Sequence, residues 1–221
     1  MNTDELKTQA AAAALEYVRP MLTSTTVIGV GTGSTANRFI DALAKLKGIF
    51  DAAVASSVAT AERLKAHGIA VIDLNAANEV LVYVDGADEV NTYKQLVKGG
   101  GGALTREKIL ATAANEFVCI VDESKLVPVL GAFPVPVEVI PMARGLVARG
   151  LVALGGMPVY RERFVTDNGN VVLDVHNLDL TDPRAVEAKI DSLTGVVCNG
   201  IFAARCADKV MVAGKDGVRI L

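Results

Sequence analysis

The chain has 221 residues, of which 51% are hydrophobic and only 5% aromatic, and this length exceeds an average domain of about 150 residues. We therefore expect one full domain with a smaller one attached, and a core built mainly from aliphatic side chains, as in α/β proteins. The formal net charge of −3, without a block of basic residues, argues against nucleic-acid binding, and no apolar run approaches the ~20 residues that span a bilayer.

Strand and helix patterns alternate along the chain up to Lys125. An alanine-rich helix at 4–18 comes first, and the later run LVYV at 81–84 is apolar throughout, as expected of a strand buried on both faces. Such alternation predicts a parallel sheet with right-handed crossovers, and hence a Rossmann-like domain. The other predicted elements of this region are strands at 25–30, 52–56, 69–73 and 117–121 and helices at 36–46, 59–67 and 103–115.

The pattern changes after Lys125, where several prolines interrupt the chain. Strands and helices are then predicted in the order β, α, β, β, α, β, which is typical of a small ferredoxin-like α+β module. The two central strands are predicted as a hairpin that turns on Asp167, Asn168 and Gly169. The predicted elements are strands at 137–140, 163–166, 170–175 and 195–197 and helices at 143–154 and 183–193.

Two further strands are predicted at the end of the chain, at 209–214 and 217–221. We assign them to the first domain, which makes that domain discontinuous in sequence. The predicted division is therefore a Rossmann-like catalytic domain over 1–127 plus 199–221 and a small α+β ferredoxin-like domain over 128–198. The expected fold class is α/β.

The cysteine content favours a reduced, cytoplasmic protein. Cys119, Cys198 and Cys206 are odd in number and form no CxxC pair, so they support neither a disulfide framework nor a zinc site. No cluster of His, Cys and carboxylate residues has the spacing of metal ligands, which predicts a mechanism without a metal ion.

The segment GVGTGSTA at 29–36 follows a predicted strand and opens a predicted helix. Its backbone amides and hydroxyls can therefore bind an anion at the start of that helix. The dinucleotide pattern GxGxxA is present, but the second strand ends in Ser56 and Ser57 instead of the acid that holds a ribose. A single phosphate group fits the loop better, and the alternative is a structural turn capped by Ser34 or Thr35. The phosphate-binding candidates in this loop are Thr32, Gly33, Ser34 and Thr35.

Two carboxylates follow the buried strand at 81–84 in the sequence DGAD. Asp85 falls at the end of the strand, which in open parallel sheets is the edge that binds ligands. Asp88 lies three residues further on, and the glycine between them lets both side chains face one pocket. The alternative is that Asp88 caps a turn and Asp85 is solvated.

A run of four glycines at 99–102 lies between Lys98 and a predicted helix. The bare backbone can approach a developing enolate oxygen, whereas a flexible linker is seldom flanked by a strand and a strong helix pattern. Glu107, in the first turns of that helix, is a candidate general base, with a surface ion pair as the alternative. Lys98 and Lys125 can offset the charge of the acids or bind phosphate, although Lys125 also fits ordinary surface.

Five motifs, in this order and over essentially the whole chain, resemble ribose-5-phosphate isomerase of the A type: GVGTGSTA, YVDGADE, KGGGGALTREK, PVEVIPMA and VTDNGN. The resemblance implies interconversion of D-ribose 5-phosphate and D-ribulose 5-phosphate in the non-oxidative pentose phosphate pathway. It also implies no metal or nucleotide cofactor, and a homodimer or larger assembly. The main departure is Cys206, where related sequences often have a small residue such as Gly.

Matched by motif, the resemblance implies that Glu107 is the base and that Asp85 and Asp88 assist ring opening and proton shuttling. It implies that Lys98, with the glycines that follow it, stabilises the oxyanion. The implied substrate-binding set is Thr32, Gly33, Ser34, Thr35, Asp85, Gly86, Ala87, Asp88, Lys98, Gly99, Gly100, Gly101, Lys125 and, less directly, Lys7.

Two other classes of protein are compatible with this type of fold. A regulator that binds a sugar phosphate without catalysis would lack the complete set of acid, base and oxyanion groups. A nucleotide-dependent oxidoreductase would bind a nicotinamide cofactor, for which the ribose-holding acid is missing. We therefore expect an aldose–ketose isomerase that acts on a small sugar phosphate through an enediol.

Overall fold

Strands and helices alternate along the chain in a computed structural model that describes residues 2–221. The described residues form six α-helices and thirteen strands. The helices are α1 (Thr3–Val18), α2 (Ser34–Leu43), α3 (Val58–Ala66), α4 (Leu104–Ala113), α5 (Arg144–Ala153) and α6 (Pro183–Asp191). The strands are β1 (Val27–Val30), β2 (Ala52–Ala55), β3 (Val80–Asp85), β4 (Glu89–Val90), β5 (Leu96–Val97), β6 (Ala114–Asp122), β7 (Val135–Val139), β8 (Met157–Tyr160), β9 (Val171–His176), β10 (Val196–Asn199), β11 (Ile201–Phe202), β12 (Lys209–Gly214) and β13 (Gly217–Ile220).

These elements belong to two structural units, and neither unit is continuous in sequence. The first unit contains the chain up to Gly86 together with Ile109–Lys125 and Ala207–Leu221. The second unit contains Ala87–Lys108 and Leu126–Cys206.

A six-stranded sheet in the order β13-β12-β6-β3-β1-β2 organises the first unit. The strands from β12 to β2 pair in parallel, and β13 is antiparallel to β12. Aliphatic side chains of α1, α2 and the sheet form one core, and burying each large side chain contributes about 1.5–3 kcal/mol. The predicted Rossmann-like parallel sheet is confirmed, as is the return of the last two strands to it.

The ends of the helices in this unit follow from local chemistry. Asn2 and Glu5 form a capping box at the start of α1, and Pro20 lies in the short 3-10 turn that follows this helix. Ser57 caps α3 by accepting a hydrogen bond from the amide of Thr60, and Gly68 follows that helix with a left-handed φ of 73°. The predicted helices are therefore confirmed to within a few residues at each end.

The strand predicted at 69–73 is wrong. Only one residue of this segment, Val71, forms a bridge, to Ala53 of β2. The amide of Ile69 is held by Leu64 of the preceding helix, and Asp73 begins a 3-10 turn by capping it. The segment is thus held at both ends by local turns and meets β2 through a single bridge instead of a continuous ladder.

The second unit contains a four-stranded antiparallel sheet in the order β10-β7-β9-β8. Helices α5 and α6 lie in sequence between its strands and contribute Val147, Leu151 and Ile190 to a separate apolar core. The order β7, α5, β8, β9, α6, β10 confirms the predicted α+β arrangement.

The hairpin strand predicted at 163–166 is wrong. The hairpin partner of β9 is β8, which begins at Met157 and ends at Tyr160, and β7 pairs with the other edge of β9. Arg163 has a φ of 56°, a left-handed conformation that is incompatible with a continuing strand. The predicted turn itself is present, because the amide of Thr166 donates to the carbonyl of Asn170 at 2.9 Å.

A small three-stranded sheet in the order β11-β5-β4 was not predicted. Each of its strands has two residues, which is too short for a period-two pattern to be recognised. Strand β5 lies in 87–108 and pairs with β11, which lies in 199–206. Both segments belong to the second unit, whereas the sequence division assigns them to the first domain. The division into two domains that each fold on their own stays a prediction, with bounds of 1–127 plus 199–221 and 128–198.

Between residues 2 and 221, no helix is both long enough and apolar enough to cross a membrane. Within the same residues, no group of three or more His, Cys, Asp or Glu side chains is arranged to hold a metal ion.

Candidate active site

The first unit brings the loop after β1 next to the end of β3. Strands β1 and β3 are neighbours in the sheet. The chain passes from β1 to β2 on one side and from β3 to β6 on the other, so a switch point lies at the carboxyl ends of β1 and β3. The amide of Gly31 donates to the carbonyl of Val84 at 2.9 Å. The amide of Thr32 donates to Oδ1 of Asp85 at 3.1 Å. The glycine loop and Asp85, predicted separately from the sequence, are therefore neighbours.

Asp85 is fully buried and not solvated. Besides Thr32, its carboxylate accepts hydrogen bonds from the amide of Gly86, at 2.7 Å, and from the hydroxyl of Tyr83. A Cβ atom at Gly31 would lie 1.8 Å from Cγ of Asp85, so this position has no space for a side chain. The carboxylate therefore holds the glycine loop in shape, and Tyr83 is a site residue that sequence reasoning missed because it lies within an apolar strand.

The hydroxyls of the loop divide into two groups. Oγ1 of Thr32 is 2.7 Å from Oγ of Ser56 and 2.8 Å from Oγ of Ser57, so Thr32 bonds with the protein and stabilises the loop. Ser34 is exposed, Thr35 is half-buried, and no side chain caps the start of α2. The alternative of a turn capped by Ser34 or Thr35 is therefore wrong, and the first amides of α2 are suited to an anion.

Two lysines of the first unit were predicted to bind phosphate. Lys125 ends a 3-10 turn that directly follows β6, at the same carboxyl edge of the sheet as Asp85. Lys7 lies in α1, with Nζ 4.0 Å from the carboxylate of Asp4. Asp4 also contacts Arg38 of α2 at 3.7 Å, so the start of α1 lies beside α2.

The second unit contains a buried ion pair. Nζ of Lys98 lies 3.2 Å from Oε2 of Glu107, and the side chains are only 3% and 5% exposed. Nζ of Lys98 also lies 5.6 Å from the centre of the Phe202 ring. The alternative of a surface pair for Glu107 is therefore wrong. A buried pair of this kind is weak evidence for stability but is typical of functional sites.

The four glycines form a tight turn between β5 and α4. Gly99 and Gly102 have φ values of 103° and 78°, and the amide of Gly102 donates to the carbonyl of Gly99 at 2.8 Å. The amide of Gly100 donates to Oδ2 of Asp88 at 2.8 Å. Because Gly100 is used to orient Asp88, the amides that remain candidates for an oxyanion are those of Gly99 and Gly101.

Two residues that sequence reasoning missed hold this turn in place. The guanidinium of Arg161 donates to the carbonyl of Gly100 at 3.2 Å and to Oδ2 of Asp174 at 2.8 Å. The ring of Phe164 lies where a side chain at Gly102 would be, with an added Cβ only 2.1 Å from the ring. No local pattern marks Arg161 or Phe164, because their contacts join segments about sixty residues apart.

Cys198 shows no sign of nucleophilic activation. Burial raises the pKa of the Cys198 thiol, an effect that the nearby charge of Lys108 only partly opposes. Cys119 is buried as well. A thiol with a raised pKa remains protonated at neutral pH and is a poor nucleophile.

An uncapped helix start at the switch point of an α/β sheet suits an anionic ligand, and a buried acid–lysine pair suits proton transfer. A family model described as ribose 5-phosphate isomerase A (phosphoriboisomerase A) matches residues 52–217. This chain belongs to the ribose 5-phosphate isomerase A family, and its enzyme class is that of an aldose–ketose isomerase.

Several solved structures resemble the chain over its whole length. Ribose 5-phosphate isomerase A from Neisseria gonorrhoeae is 45% identical with a TM-score of 0.95, and the match covers 100% of this chain and 97% of that one. The enzyme from Methanocaldococcus jannaschii is 40% identical with a TM-score of 0.91, covering 98% of each chain. A D-ribose-5-phosphate isomerase in complex with phospho-erythronic acid is 38% identical with a TM-score of 0.94, covering 100% and 99%.

Proposed function

We propose that this chain interconverts D-ribose 5-phosphate and D-ribulose 5-phosphate in the pentose phosphate pathway, through an enediol and without a metal ion or other cofactor. The observation that carries the proposal is the buried contact between Lys98 and Glu107, which pairs a carboxylate base with a cation at 3.2 Å. A relative solved with phospho-erythronic acid supports a small phosphorylated sugar as the substrate class.

In this proposal Glu107 carries the proton. The carboxylate removes the proton from C2 of the open-chain aldose, the C2 electrons form the C1–C2 double bond, and the C1 carbonyl oxygen becomes the enediolate oxygen. The ammonium of Lys98 and the amides of Gly99 and Gly101 stabilise that oxygen. Return of the proton to C1, together with transfer of the C2 hydroxyl proton to the C1 oxygen, gives the ketose with its C2 carbonyl, so no net charge or electron is lost.

Asp85 and Asp88 assist ring opening and move protons between the sugar oxygens in this proposal. The bond from Gly100 fixes the direction of the Asp88 carboxylate. Both oxygens of Asp85 already accept hydrogen bonds, so part of its role is to shape the loop that begins at Gly31. The backbone of Gly86 and Ala87 joins the two acids and is proposed to line the substrate.

The phosphate is proposed to bind at the start of α2. The hydroxyls of Ser34 and Thr35 and the amides that follow Gly33 supply donors there, while Thr32 holds the loop from the other side. Lys125 and Lys7 supply positive charge. Both lysines are half-buried, and the amides and hydroxyls at the start of α2 provide most of the selectivity.

A coupled assay with ribose 5-phosphate tests the reaction and its independence from metal together. We expect turnover of ribose 5-phosphate, with full activity after dialysis against EDTA. Activity that disappears on dialysis and returns with a divalent ion would overturn the metal-free mechanism. Tight binding of a nicotinamide dinucleotide in a fluorescence titration would instead favour an oxidoreductase.

The assembly and location are also proposals. We propose a homodimer in the cytoplasm, on the basis of the family resemblance and of cysteines that form no disulfide. Sedimentation equilibrium at micromolar concentration is expected to give twice the chain mass of 23.1 kDa. A single species with the mass of one chain would contradict the dimer.

A further inference from the structure

Glu138 is a buried carboxylate that the proposed reaction does not use. It lies in β7, the strand between β9 and β10, and is fully buried. A buried carboxylate is costly unless several donors surround it. Its Oε1 accepts from Oγ1 of Thr166 at 2.8 Å, from Nδ2 of Asn168 at 3.1 Å and from Nδ2 of Asn170 at 2.8 Å.

The other oxygen of Glu138 reaches the helix that carries the proposed base. Oε2 accepts a hydrogen bond from the hydroxyl of Thr105, the second residue of α4. The next residue, Arg106, donates from Nε to Oδ1 of Asn168 at 2.8 Å and from its guanidinium to the carbonyl of Asp167 at 2.8 Å.

Both residues immediately before Glu107 are therefore attached to the same network. Successive helix residues point about 100° apart, so two attachments at 105 and 106 fix the rotation of the first turn of α4 about its axis. That rotation decides the direction of the Glu107 side chain. The side chain points to Nζ of Lys98, 3.2 Å away.

We propose that Glu138, together with the turn from Thr166 to Asn170, is a positioning device that orients Glu107 against Lys98. The proposal rests on the function proposed for Glu107. Replacing a buried ion by an apolar residue is often neutral or stabilising, so stability alone does not account for an acid at this place. Its four partners belong to two segments, the turn and the start of α4, and the carboxylate holds the two together.

Thr105→Val tests the link, because valine keeps the shape of threonine and removes only the hydroxyl. Since small displacements of a catalytic group reduce rates steeply, we expect kcat to fall about 10-fold with KM unchanged. Thr105→Ser restores the hydroxyl and is expected to return kcat to within about 2-fold of the original. Ser192→Ala removes a helix-end hydroxyl that bonds only to a nearby carbonyl and serves as the control with unchanged kcat.

Measuring Thr105→Val in the Glu107→Gln variant as well separates a positioning role of Thr105 from a general effect on stability. If Thr105 acts through Glu107, then Thr105→Val has no further effect on kcat once Glu107→Gln is present, because the two changes are not additive. Rates are measured well below the melting temperature of each variant, so that the folded fraction is equal. Arg106→Met, which cuts the second attachment, gives the same test if Thr105→Val does not fold.

The outcomes are distinct. An unchanged kcat in Thr105→Val, or an equal loss in both backgrounds, would overturn the positioning role. Near-normal turnover of Glu107→Gln alone would instead overturn the function proposed for Glu107.

Discussion

The two units position their candidate residues in different ways. In the first unit the groups lie where strands end, and backbone geometry places them: the glycine loop after β1, Asp85 at the end of β3, and Lys125 after β6. In the second unit Lys98 and Glu107 are buried against each other, and the helix that carries Glu107 is hydrogen-bonded through Thr105 to Glu138 of β7. The proposed phosphate-binding groups therefore follow from sheet topology, whereas the proposed base depends on a side-chain network.

This difference corresponds to two kinds of interaction energy. A phosphate far from the reacting carbons interacts equally with the enzyme in the ground state and in the transition state, so losing such a contact raises KM. A base and an oxyanion partner act mainly in the transition state, so their loss lowers kcat. Variants of the two units are therefore expected to separate kinetically.

The largest effect is expected for Glu107→Gln in the second unit. The amide keeps the shape of the side chain and removes the basic site, so kcat should fall by roughly 10² or more. KM should change little, and the variant should still fold, although loss of the buried pair lowers its melting temperature. Glu62→Gln, at an exposed position of α3, is the matched control.

Isotope exchange makes the same prediction sharper. A proton that resides on Glu107 can exchange with water, so the unaltered enzyme in D₂O should place deuterium on the product carbon. If Glu107→Gln keeps near-normal turnover, Asp85 becomes the next candidate, to be tested by whether Asp85→Asn abolishes the exchange.

An intermediate effect is expected for Thr35→Val in the first unit. Removing a hydroxyl donor to a charged phosphate costs about 1.5–3 kcal/mol, so KM should rise about 10-fold or more with little change in kcat. Steady-state kinetics with ribose 5-phosphate measure both constants. Thr25→Val, in the exposed segment before β1, is the control. A fall in kcat at constant KM would break the proposed division of labour between the units.

The smallest effect is expected for Lys209→Met, which tests whether the first unit depends on a charged side chain. Nζ of Lys209 lies 2.5 Å from Oε1 of Glu116, and this bond raises the pKa of Lys209. A lysine whose pKa rises on folding stabilises the protein fully below the ordinary value of about 10.4 and loses that contribution above it. The side chain is 36% exposed, so we expect about 0.5 kcal/mol after screening.

Thermal unfolding at two pH values measures this contribution. Near pH 8 the melting temperature of Lys209→Met should be about 1–2 °C below that of the unaltered protein. Well above the ordinary lysine pKa the difference should shrink. A difference that grows with pH would show that the sign assigned to the lysine is wrong.

Much of the fold followed from short-range patterns. Alternating apolar runs and glycine turns predicted the parallel sheet, the α+β arrangement of the second unit and most helix ends, because capping and periodicity act within a few residues. The candidate residues also lie beside recognisable local signals: Asp85 ends an apolar strand, and Glu107 follows a glycine run. The roles of these residues stay proposals.

Only the tertiary structure decided which distant segments meet. It replaced the predicted strand partner at 163–166 with β8, reduced 69–73 to a single bridge, and added the small sheet of β4, β5 and β11. It also buried Glu138 against α4 and brought Arg161 to the glycine turn. The physical reason is that a side chain's hydrogen-bond partners and burial depend on long-range packing, which leaves no periodic trace in the sequence around it.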